Sequence, residues 1–402
     1  MSARVVLGVG AGIAAYKACE LLRLLTESGH QVRVVPTPDA LRFVGAVTWA
    51  ALSGEPVTTD AWTGVAEVPH VRLGQSADLV LIAPATADLM ARAAAGMAGD
   101  LLTATVLTAR CPVMYAPAMH TEMWEHPATQ ANVSLLRSRG AIVLEPAVGR
   151  LTGADSGAGR LPDPAEIFAI ATRLLVRGAQ GSPADLAGRR VVVSAGGTRE
   201  EIDPVRFIGN WSTGTQGYAL ARTAVARGAE VIVVAANVAL PDPAGVKMAR
   251  VVSAREMQDA VTTAAAGADA VVMAAAVADY RPQDRSAAKF KKDGQPPSPL
   301  RLTENPDILA GLGARREGGP AILVGFAAET DTSAGAARAK LARKGCDLLV
   351  VNPVGNGLGF GTPDNEAVVY GADGTVTQIP RGPKEALADV VWDLVAARLP
   401  SG

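Results

Sequence analysis

Short apolar runs alternate with segments of helical periodicity along the first half of the chain. Apolar runs bounded by turn residues predict buried strands, and the amphipathic stretches between them predict helices. The predicted strands are Arg4–Val9, Gln31–Val35, Asp78–Ala83, Val113–Ala116 and Ala141–Leu144, and the predicted helices are Ile13–Ser28, Ala87–Ala109 and Met123–Arg139.

The same alternation restarts after the segment Gly178–Pro183, whose sequence GAQGSP has the composition of a flexible linker. Strands that alternate with helices favour right-handed crossovers and a mostly parallel sheet. We therefore predict an α/β protein with two doubly wound domains of flavodoxin-like or Rossmann-like type, residues 1–180 and 186–402. In the second domain the predicted strands are Val191–Ser194, Glu230–Ala235, Asp269–Met273, Ala321–Phe326 and Asp347–Val351, with a helix at Ser333–Lys344 and a C-terminal hairpin of Ala367–Tyr370 and Thr375–Ile379.

Composition narrows the class of protein. A chain of 402 residues is long enough for two domains, and 49% hydrophobic with 4% aromatic residues indicates aliphatic cores. The net charge of -1 gives no electrostatic basis for binding nucleic acid or an acidic membrane. Three scattered cysteines without a CxxC pair support neither a disulfide framework nor a zinc site. With no apolar run long enough to span a membrane, we expect a cytoplasmic protein.

The most distinctive segment is residues 191–217, VVVSAGGTREEIDPVRFIGNWSTGTQG. A strand leads into Gly196 and Gly197, and a second glycine pair, Gly214 and Gly217, precedes a helical run. Exposed N–H groups and the helix dipole make such a turn an anion site. The spacing matches neither GxGxxG nor the Walker lysine loop. It therefore indicates an enzyme that binds a nucleotide or phosphate outside those two classes.

The first predicted strand ends in Gly8, Gly10 and Gly12, which permit close approach of a phosphate. No acidic residue closes the second predicted strand, so a dinucleotide is disfavoured. Thr86 follows the third strand and would lie at the ligand-binding edge of the sheet, although a simple helix cap explains it equally well.

Two of the four histidines flank predicted strands of the first half. His70 precedes one strand, and His120 follows the next. A single loop histidine is usually a solvated surface residue. Two that converge on one pocket can serve as a base or as a partner for a carboxylate, because imidazole titrates near neutral pH.

Basic residues follow several strands of the second half. Lys289 lies in the loop AAKFKK, after Asp279 at the end of a strand, and Lys340 and Lys344 share one helix face. A lysine pair of this kind is usually a solvated surface. Together with the glycine turns, however, the group matches what a triphosphate and a divalent cation need.

The segments GAGIAAYK, APATADLMARAAAGMAGDL and PAMHTEMW, with the segment around His70, resemble the flavin-containing cysteine decarboxylases. The resemblance implies flavin mononucleotide (FMN) bound between subunits of a trimer, with His70 assisting the oxidation and the last motif binding the substrate carboxylate. It also implies flavin contacts from Gly12, Thr37, Phe43, Thr86 and Ala87.

Two positions depart from the decarboxylase pattern. His120 stands where the PxMNxxMW motif has asparagine, and it can still donate a hydrogen bond to a carboxylate. In the flap segment Leu151–Leu161, Gly153 stands in place of the family's acidic cysteine. Asp155, Ser156 or water must therefore supply that proton, or the final step of the reaction differs.

The segments SAGGTREEIDPVRFIGN, AAAVADYRP, KFKK, NPDIL and GFAAET resemble phosphopantothenate–cysteine ligase. The two halves in this order resemble the bifunctional family that performs both steps in coenzyme A synthesis. The resemblance implies CTP-dependent ligation of 4′-phosphopantothenate with cysteine through an acyl-cytidylate, then FMN-dependent decarboxylation to 4′-phosphopantetheine. It also implies a homo-oligomer, with decarboxylase trimers, ligase dimers and a dodecamer as one combined assembly.

The ligase resemblance assigns roles to individual residues. Asn210 would hold the acyl intermediate, Asp279 would bind Mg²⁺ or the nucleotide, and Lys289 would contact the triphosphate. Thr215 replaces a lysine of the family's SSGKMG motif, which would shift that phosphate contact to Arg206 or to no residue. The remaining nucleotide contacts would come from Met273, Ala274, Ala275, Pro306, Asp307, Ile308, Phe326, Lys340 and Lys344.

One alternative stays open from the sequence, because of Gly153 and His120. In it the chain is a ligase whose N-terminal domain binds FMN, decarboxylates weakly or not at all, and serves mainly in oligomerisation.

Overall fold

The structure is a computed structural model that describes residues 2–59, 68–151, 155–178, 184–291, 299–315, 318–329, 333–354, 362 and 364–400. Two units of mixed α/β structure make up the chain, one formed mainly by residues up to Asp185 and the other mainly from Leu186 onward. None of the helices in these ranges is both long and apolar enough to cross a membrane.

The first unit contains a 5-stranded parallel sheet in the order β2-β1-β3-β4-β5. This is the flavodoxin-like order, as predicted. Its strands are β1 (Arg4–Val9), β2 (Gln31–Pro36), β3 (Leu79–Ala85), β4 (Val113–Pro117) and β5 (Ile142–Val143), followed by the hairpin β6 (Ala147–Arg150) and β7 (Ser156–Arg160). The helices are α1 (Ala15–Glu27), α2 (Ala46–Ser53), α3 (Pro69–Ser76), α4 (Ala87–Ala94), α5 (Leu101–Thr108), α6 (Thr121–Glu125), α7 (Pro127–Ser138) and α8 (Pro164–Arg177), with a 3₁₀ turn at Pro38–Arg42.

Two predicted helices of this unit are each split, so the single-helix predictions were wrong. Ala87–Ala109 breaks near Gly96, which has a φ of 71°, and a new helix begins after Asp100, whose carboxylate caps it. Met123–Arg139 breaks at Pro127, which lies in the first turn of α7 and cannot continue the preceding helix.

Apolar side chains cover both faces of the first sheet. Along β1, Val5 and Leu7 belong to one buried cluster, whereas Val6 belongs to the cluster on the other face. The near-continuous apolar strands of the sequence follow from this burial on both sides.

The second unit contains an 8-stranded sheet in the order β12-β11-β8-β13-β16-β17-β18-β19. The six strands up to β17 are parallel and follow the Rossmann order, and the two last strands are antiparallel. The strands of this sheet are β8 (Arg190–Gly196), β11 (Glu230–Ala236), β12 (Val246–Val251), β13 (Ala270–Met273), β16 (Ile322–Glu329), β17 (Leu348–Pro353), β18 (Asp364–Gly371) and β19 (Val376–Pro383). The helices are α9 (Thr215–Ala226), α10 (Ala254–Ala265), α11 (Ile308–Gly313), α12 (Ala334–Lys344) and α13 (Lys384–Ala396).

Two short hairpins lie outside this sheet and were not predicted. One consists of β9 (Arg199–Glu201) and β10 (Phe207–Gly209), and the other of β14 (Tyr280–Pro282) and β15 (Leu302–Glu304). Three-residue strands are too short for an alternating pattern to be recognised. Strand β12 was missed as well, because its residues are mostly half-buried or exposed.

Candidate functional site

A cavity of the second unit lies where the strand order reverses, between β8 and β13. Ligands of open α/β sheets bind at this switch point, outside the carboxyl ends of the strands. Gly197 follows β8 and pairs with Ala276 beyond β13. A side chain at Gly197 would meet the Asn210 carbonyl oxygen at 2.9 Å, so glycine lets three segments meet here.

The predicted glycine turn precedes α9 and faces this cavity. Gly214 has a φ of 80°, which favours glycine, and a Cβ at Gly217 would lie 2.5 Å from the Ala195 Cβ atom. The second glycine therefore lets the first turn of α9 pack directly on β8. The first N–H groups of a helix lack intrahelical partners. Here the Gly214 N–H donates to Ser212 Oγ at 3.3 Å and the Thr215 N–H donates to Thr213 Oγ1 at 3.4 Å, and anion binding at this turn stays a prediction.

The cavity has a volume of ≈ 780 Å³, within the usual range for small-molecule sites. The structure brings together almost all the residues assigned to the ligase site from its sequence resemblance. The assigned residues that line it are Asn210, Met273, Ala274, Ala275, Asp279, Pro306, Asp307, Ile308, Phe326, Lys340 and Lys344.

Hydrogen bonds fix the loop after β13 that forms one wall. The Ala275 N–H donates to Ser194 Oγ at 3.1 Å, and the Ala278 N–H donates to Thr198 Oγ1 at 2.9 Å. Ser194 and Thr198 are fully buried. The Asn210 side chain donates to the Val277 carbonyl at 3.0 Å, which positions its amide on the same loop. This wall is therefore held by side chains of β8 and its following turn.

The predicted lysine pair is not a solvated surface. Lys340 donates to Glu329 at 2.6 Å, and Lys344 donates to Asp307. Burial by itself would raise the pKa of Asp307, but the hydrogen bonds from Lys344 and the Ala310 N–H, with the charge of Lys344, hold it below its ordinary value. Both lysines of α12 therefore line the cavity, and each is paired with a carboxylate.

Asp279 is an exposed carboxylate on the cavity wall. Within the described residues, no group of three or more His, Cys, Asp or Glu side chains could hold a metal. Mg²⁺ usually takes one or two protein carboxylates together with substrate phosphates and water. An exposed carboxylate on the wall of the cavity, as at Asp279, fits that pattern.

Lys289 does not line the cavity in the structure. Its side chain is exposed, and the next residue is tied elsewhere: the Phe290 N–H donates to Asp203 at 3.2 Å and the Phe290 carbonyl accepts from Arg206 at 3.3 Å. Arg206, suggested by the missing lysine at Thr215 as a phosphate contact, donates to Asp203 at 2.7 Å. The triphosphate role of Lys289 stays a prediction.

Several cavity residues were missed by the sequence reasoning. Gln216, Asn352, Asn365 and Lys384 line the cavity, and three of them come from the C-terminal part of the chain. Lys384 is 4% exposed at the start of α13. The one signal in the sequence was a lysine directly after an apolar hairpin strand, which is too common to single out.

In the first unit, the glycine segment after β1 lies beside the turn after β3. The Gly10 N–H donates to the Pro84 carbonyl at 3.0 Å, and Thr86 caps α4 by accepting from the Leu89 N–H at 3.2 Å. Gly12 has open space where a Cβ would lie. These residues surround the β1/β3 switch point, where flavodoxin-like folds bind their ligand.

Other residues assigned to the flavin site lie on neighbouring segments. Thr37 follows β2, and its hydroxyl is buried without a hydrogen-bond partner in the described part of the chain. Phe43 is 49% exposed, and Ala87 begins α4. A buried hydroxyl with no partner is costly unless a ligand pairs with it. Thr37 therefore fits a contact to a polar cofactor.

His70 and His120 lie on different elements. His70 is in the first turn of α3, where its Nδ1 is buried with no partner among the described residues. His120 is exposed and precedes α6. His70 thus has a ring nitrogen that could bond to a ligand, and His120 has a ring that is open to solvent. That the two rings converge on one pocket stays a prediction.

The β6–β7 hairpin carries the flap and packs on the His120 segment. The Met119 N–H donates to the Gly159 carbonyl at 2.9 Å, and a Cβ at Gly157 would lie 2.2 Å from Thr121 Oγ1. Asp155 and Ser156 are exposed at the end of this hairpin. Gly153, at the place of the family cysteine, lies outside the described residues.

Comparison with known proteins identifies the family. Residues 1–175 match the family model described as Flavoprotein, and residues 186–399 match the DNA/pantothenate metabolism flavoprotein C-terminal domain. The coenzyme A biosynthesis bifunctional protein CoaBC of Mycobacterium bovis is 58% identical over 405 residues, covering 98% of this chain and 97% of its own. The same-named protein of Vibrio cholerae is 42% identical over 396 residues, covering 98% and 97%.

Among solved structures, a crystal structure of the C-terminal domain of a coenzyme A biosynthesis bifunctional protein CoaBC is 36% identical, with a TM-score of 0.46. It covers 53% of this chain and 97% of that one. The full-length relatives favour the prediction of two activities over the alternative of a flavin-binding module that serves mainly in oligomerisation. The chain belongs to the family of bifunctional coenzyme A biosynthesis proteins CoaBC, and it is an enzyme in which a flavoprotein decarboxylase domain precedes a ligase domain.

Proposed function

We propose that residues 186–402 use CTP to ligate 4′-phosphopantothenate with cysteine, and that residues 1–180 use FMN to decarboxylate the product to 4′-phosphopantetheine. The observation that supports the ligase assignment most directly is the switch-point cavity. Nucleotide contacts assigned on separate segments of the sequence line this one cavity.

In the ligation, the carboxylate of 4′-phosphopantothenate attacks the α-phosphate of CTP and pyrophosphate leaves. The cysteine amine then attacks the acyl carbon of the acyl-cytidylate, and CMP leaves as the amide forms. Asn210 would orient this intermediate, because one N–H of its amide is fixed on Val277 and its other donor and its carbonyl oxygen remain for the ligand. Lys340 and Lys344 would stabilise the charge that develops on the leaving pyrophosphate.

Asp279 is the proposed protein ligand of Mg²⁺. The bound cation would neutralise the phosphates and fix their geometry. Lys289 is proposed to reach the triphosphate only after its loop moves from the position held by Asp203 and Arg206.

In the first unit, Gly12, Thr37, Phe43, Thr86 and Ala87 would hold the flavin. Bound FMN would supply the oxidation of the cysteinyl carbon that precedes loss of carbon dioxide, and would then return the two electrons to the resulting enethiol to give the saturated thiol. The unpartnered nitrogen of His70 would accept and hold a proton at that site, since neutral imidazole is a base near pH 7. His120 would donate to the substrate carboxylate.

Asp155, Ser156 or water is proposed to protonate the enethiol that remains after loss of carbon dioxide, in place of the family's cysteine. The packing of the flap hairpin against Met119 and Thr121 supports this, because it keeps Asp155 and Ser156 on the hairpin that contacts the His120 segment.

The chain is also proposed to be a cytoplasmic homo-oligomer, with trimers formed by residues 1–180 and dimers by residues 186–402. Exposed apolar side chains in the first unit support a subunit contact, since Ile13 is 68%, Tyr16 60% and Val47 84% exposed.

The purified protein tests the proposal in two separate assays. We expect flavin absorbance that co-purifies with the chain, and pyrophosphate release that requires CTP, cysteine, 4′-phosphopantothenate and Mg²⁺. Carbon dioxide release should follow ligation. Equal pyrophosphate release with ATP would contradict the choice of CTP, and a colourless protein that still releases carbon dioxide would contradict FMN.

A further inference from the structure

Three lysines line the ligase cavity, and only two of them have a carboxylate partner in the described part of the chain. Lys340 pairs with Glu329, and Lys344 pairs with Asp307. Lys384 makes one side-chain hydrogen bond there, to the Thr362 carbonyl, and forms no ion pair within 4.0 Å. Lys384 lines the cavity, and two of the three donors of its ammonium have no partner among the described residues.

The two acidic residues whose charges act on Lys384, Glu385 and Asp364, have other partners. Glu385 accepts from Arg222 at 2.6 Å, with both side chains largely buried, and Asp364 lies 4.0 Å from Arg381. Burial lowers the pKa of Lys384, and the charges of Glu385 and Asp364 oppose this without restoring the ordinary value. Among the described residues, this lysine, only 4% exposed, thus lacks the close anion that buried charges normally have.

Lys384 also lies beside the N-terminus of α9. The Gln216 side chain donates to the Lys384 carbonyl at 3.2 Å and accepts from Asn365 at 3.1 Å, so the three residues form one connected wall. Lys384 is itself the first residue of α13. A cation at helix N-termini is electrostatically unfavourable, and an anion bound in the cavity would relieve this.

We propose that Lys384 is a phosphate-binding residue of the ligase cavity, acting together with the N-terminus of α9. The inference rests on the proposed function for the identity of its ligand. Both the triphosphate of the nucleotide and the phosphate of 4′-phosphopantothenate carry the required chemistry. A lysine ammonium and the N–H groups of a helix N-terminus can bind the same tetrahedral anion. Here an anion would replace the long hydrogen bonds from the Gly214 and Thr215 N–H groups to the hydroxyls of Ser212 and Thr213.

The test compares Lys384→Met, which keeps the length of the side chain without its charge, with Lys247→Gln as a control. Lys247 is on β12, outside the cavity, with its side chain 78% exposed. Dissociation constants for CTP, cytidine and inorganic tripolyphosphate are measured by calorimetry, and KM for 4′-phosphopantothenate by pyrophosphate release. Circular dichroism melting checks that each variant is folded, and Lys384→Gln replaces the methionine variant if that one is not.

If the phosphate that Lys384 binds belongs to the nucleotide, CTP and tripolyphosphate should bind about 10- to 100-fold more weakly to Lys384→Met, while cytidine binding is unchanged. If that phosphate belongs to 4′-phosphopantothenate, the KM for 4′-phosphopantothenate should rise by the same factor, and CTP binding should be unaltered. Lys384→Arg should recover part of either loss, and Lys247→Gln should behave as wild type.

Unchanged values for all four ligands would overturn the proposal. An equal loss for CTP and cytidine would also overturn it, because a structural role affects both alike. The tripolyphosphate measurement is independent of the ligation reaction. A Lys384-dependent affinity for tripolyphosphate in a protein that does not consume CTP would refute the proposed function and leave the phosphate site standing.

Discussion

Replacing Gly217 with alanine should destabilise the ligase unit, although alanine favours helices over glycine. Gly217 lies in the first turn of α9 and has an ordinary negative φ, so the backbone itself accepts alanine. The added Cβ would lie 2.5 Å from the Ala195 Cβ atom, 3.0 Å from its Cα and 3.0 Å from the Ser194 carbonyl oxygen. None of these atoms belongs to a flexible side chain, so α9 must move away from β8.

The magnitude follows from two opposing effects. Overpacking a rigid site costs about 1–3 kcal/mol, and the contact with fixed backbone puts Gly217 near the upper end. Helix propensity returns at most about 1 kcal/mol. The net loss should be about 2 kcal/mol, which lowers the melting temperature of a unit this size by about 4–8 °C. Displacement of the helix N-terminus should also weaken CTP binding.

Gly335→Ala provides the matched control. Gly335 lies in the first turn of α12, with no atom within 4 Å of the position of an added Cβ. The free energy of unfolding of this variant should rise by about 0.4–1 kcal/mol, because alanine restricts the conformations of the unfolded chain. Calorimetric melting of both variants measures the difference. A Gly217→Ala protein that melts at or above the wild-type temperature would refute the packing argument.

Three further predictions concern single side chains. His70→Asn should abolish carbon dioxide release while pyrophosphate release by the ligase persists; normal decarboxylation would exclude His70 from the chemistry. Lys289→Gln should slow pyrophosphate release by about 10²–10³ with a smaller effect on CTP binding, whereas Lys291→Gln should change little. Equal, mild effects of both substitutions in stopped-flow assays would show that the loop is only a charged surface. Hydrogen bonds from the Thr375 hydroxyl and N–H, together with Arg398, lower the pKa of Asp373 to about 2. The contribution of Asp373 to the stability of the fold is therefore present above pH ~4 and is lost as the pH falls towards 2. Urea denaturation should show wild type and Asp373→Asn separated at pH 6 and converging near pH 2; a difference that persists there would contradict this linkage.

Most of the parallel strands followed from the sequence alone, because alternation between buried strands and amphipathic helices is a local property. Strand β1 begins and ends where the apolar run predicts, and the glycine turn before α9 lies where its residues indicate. The helix boundaries were less accurate. Glycine and proline at Gly96 and Pro127 ended helices that periodicity alone would have continued.

The composition of the cavity was only partly readable from sequence. Asp279 and Lys344 could be assigned because each belongs to a short motif at the end of a strand or on a helix face. Lys384 belongs to no such motif, and it reaches Gln216 across a separation of 168 residues. That contact depends on the antiparallel strands β18 and β19, which return the chain to the sheet just before α13.

The sequence by itself therefore determined the α/β class and the glycine turns, since these depend on neighbours a few positions apart. Its resemblance to the ligase family supplied most of the residues that line the cavity. The tertiary structure decided which charges of the described residues are paired and which cavity lysine has no carboxylate partner among them. It also decided that Lys289 lies outside the cavity, next to Phe290, whose backbone bonds to Asp203 and Arg206. Those outcomes depend on strand order and on hydrogen bonds between distant segments, and neither leaves a periodic pattern along the chain.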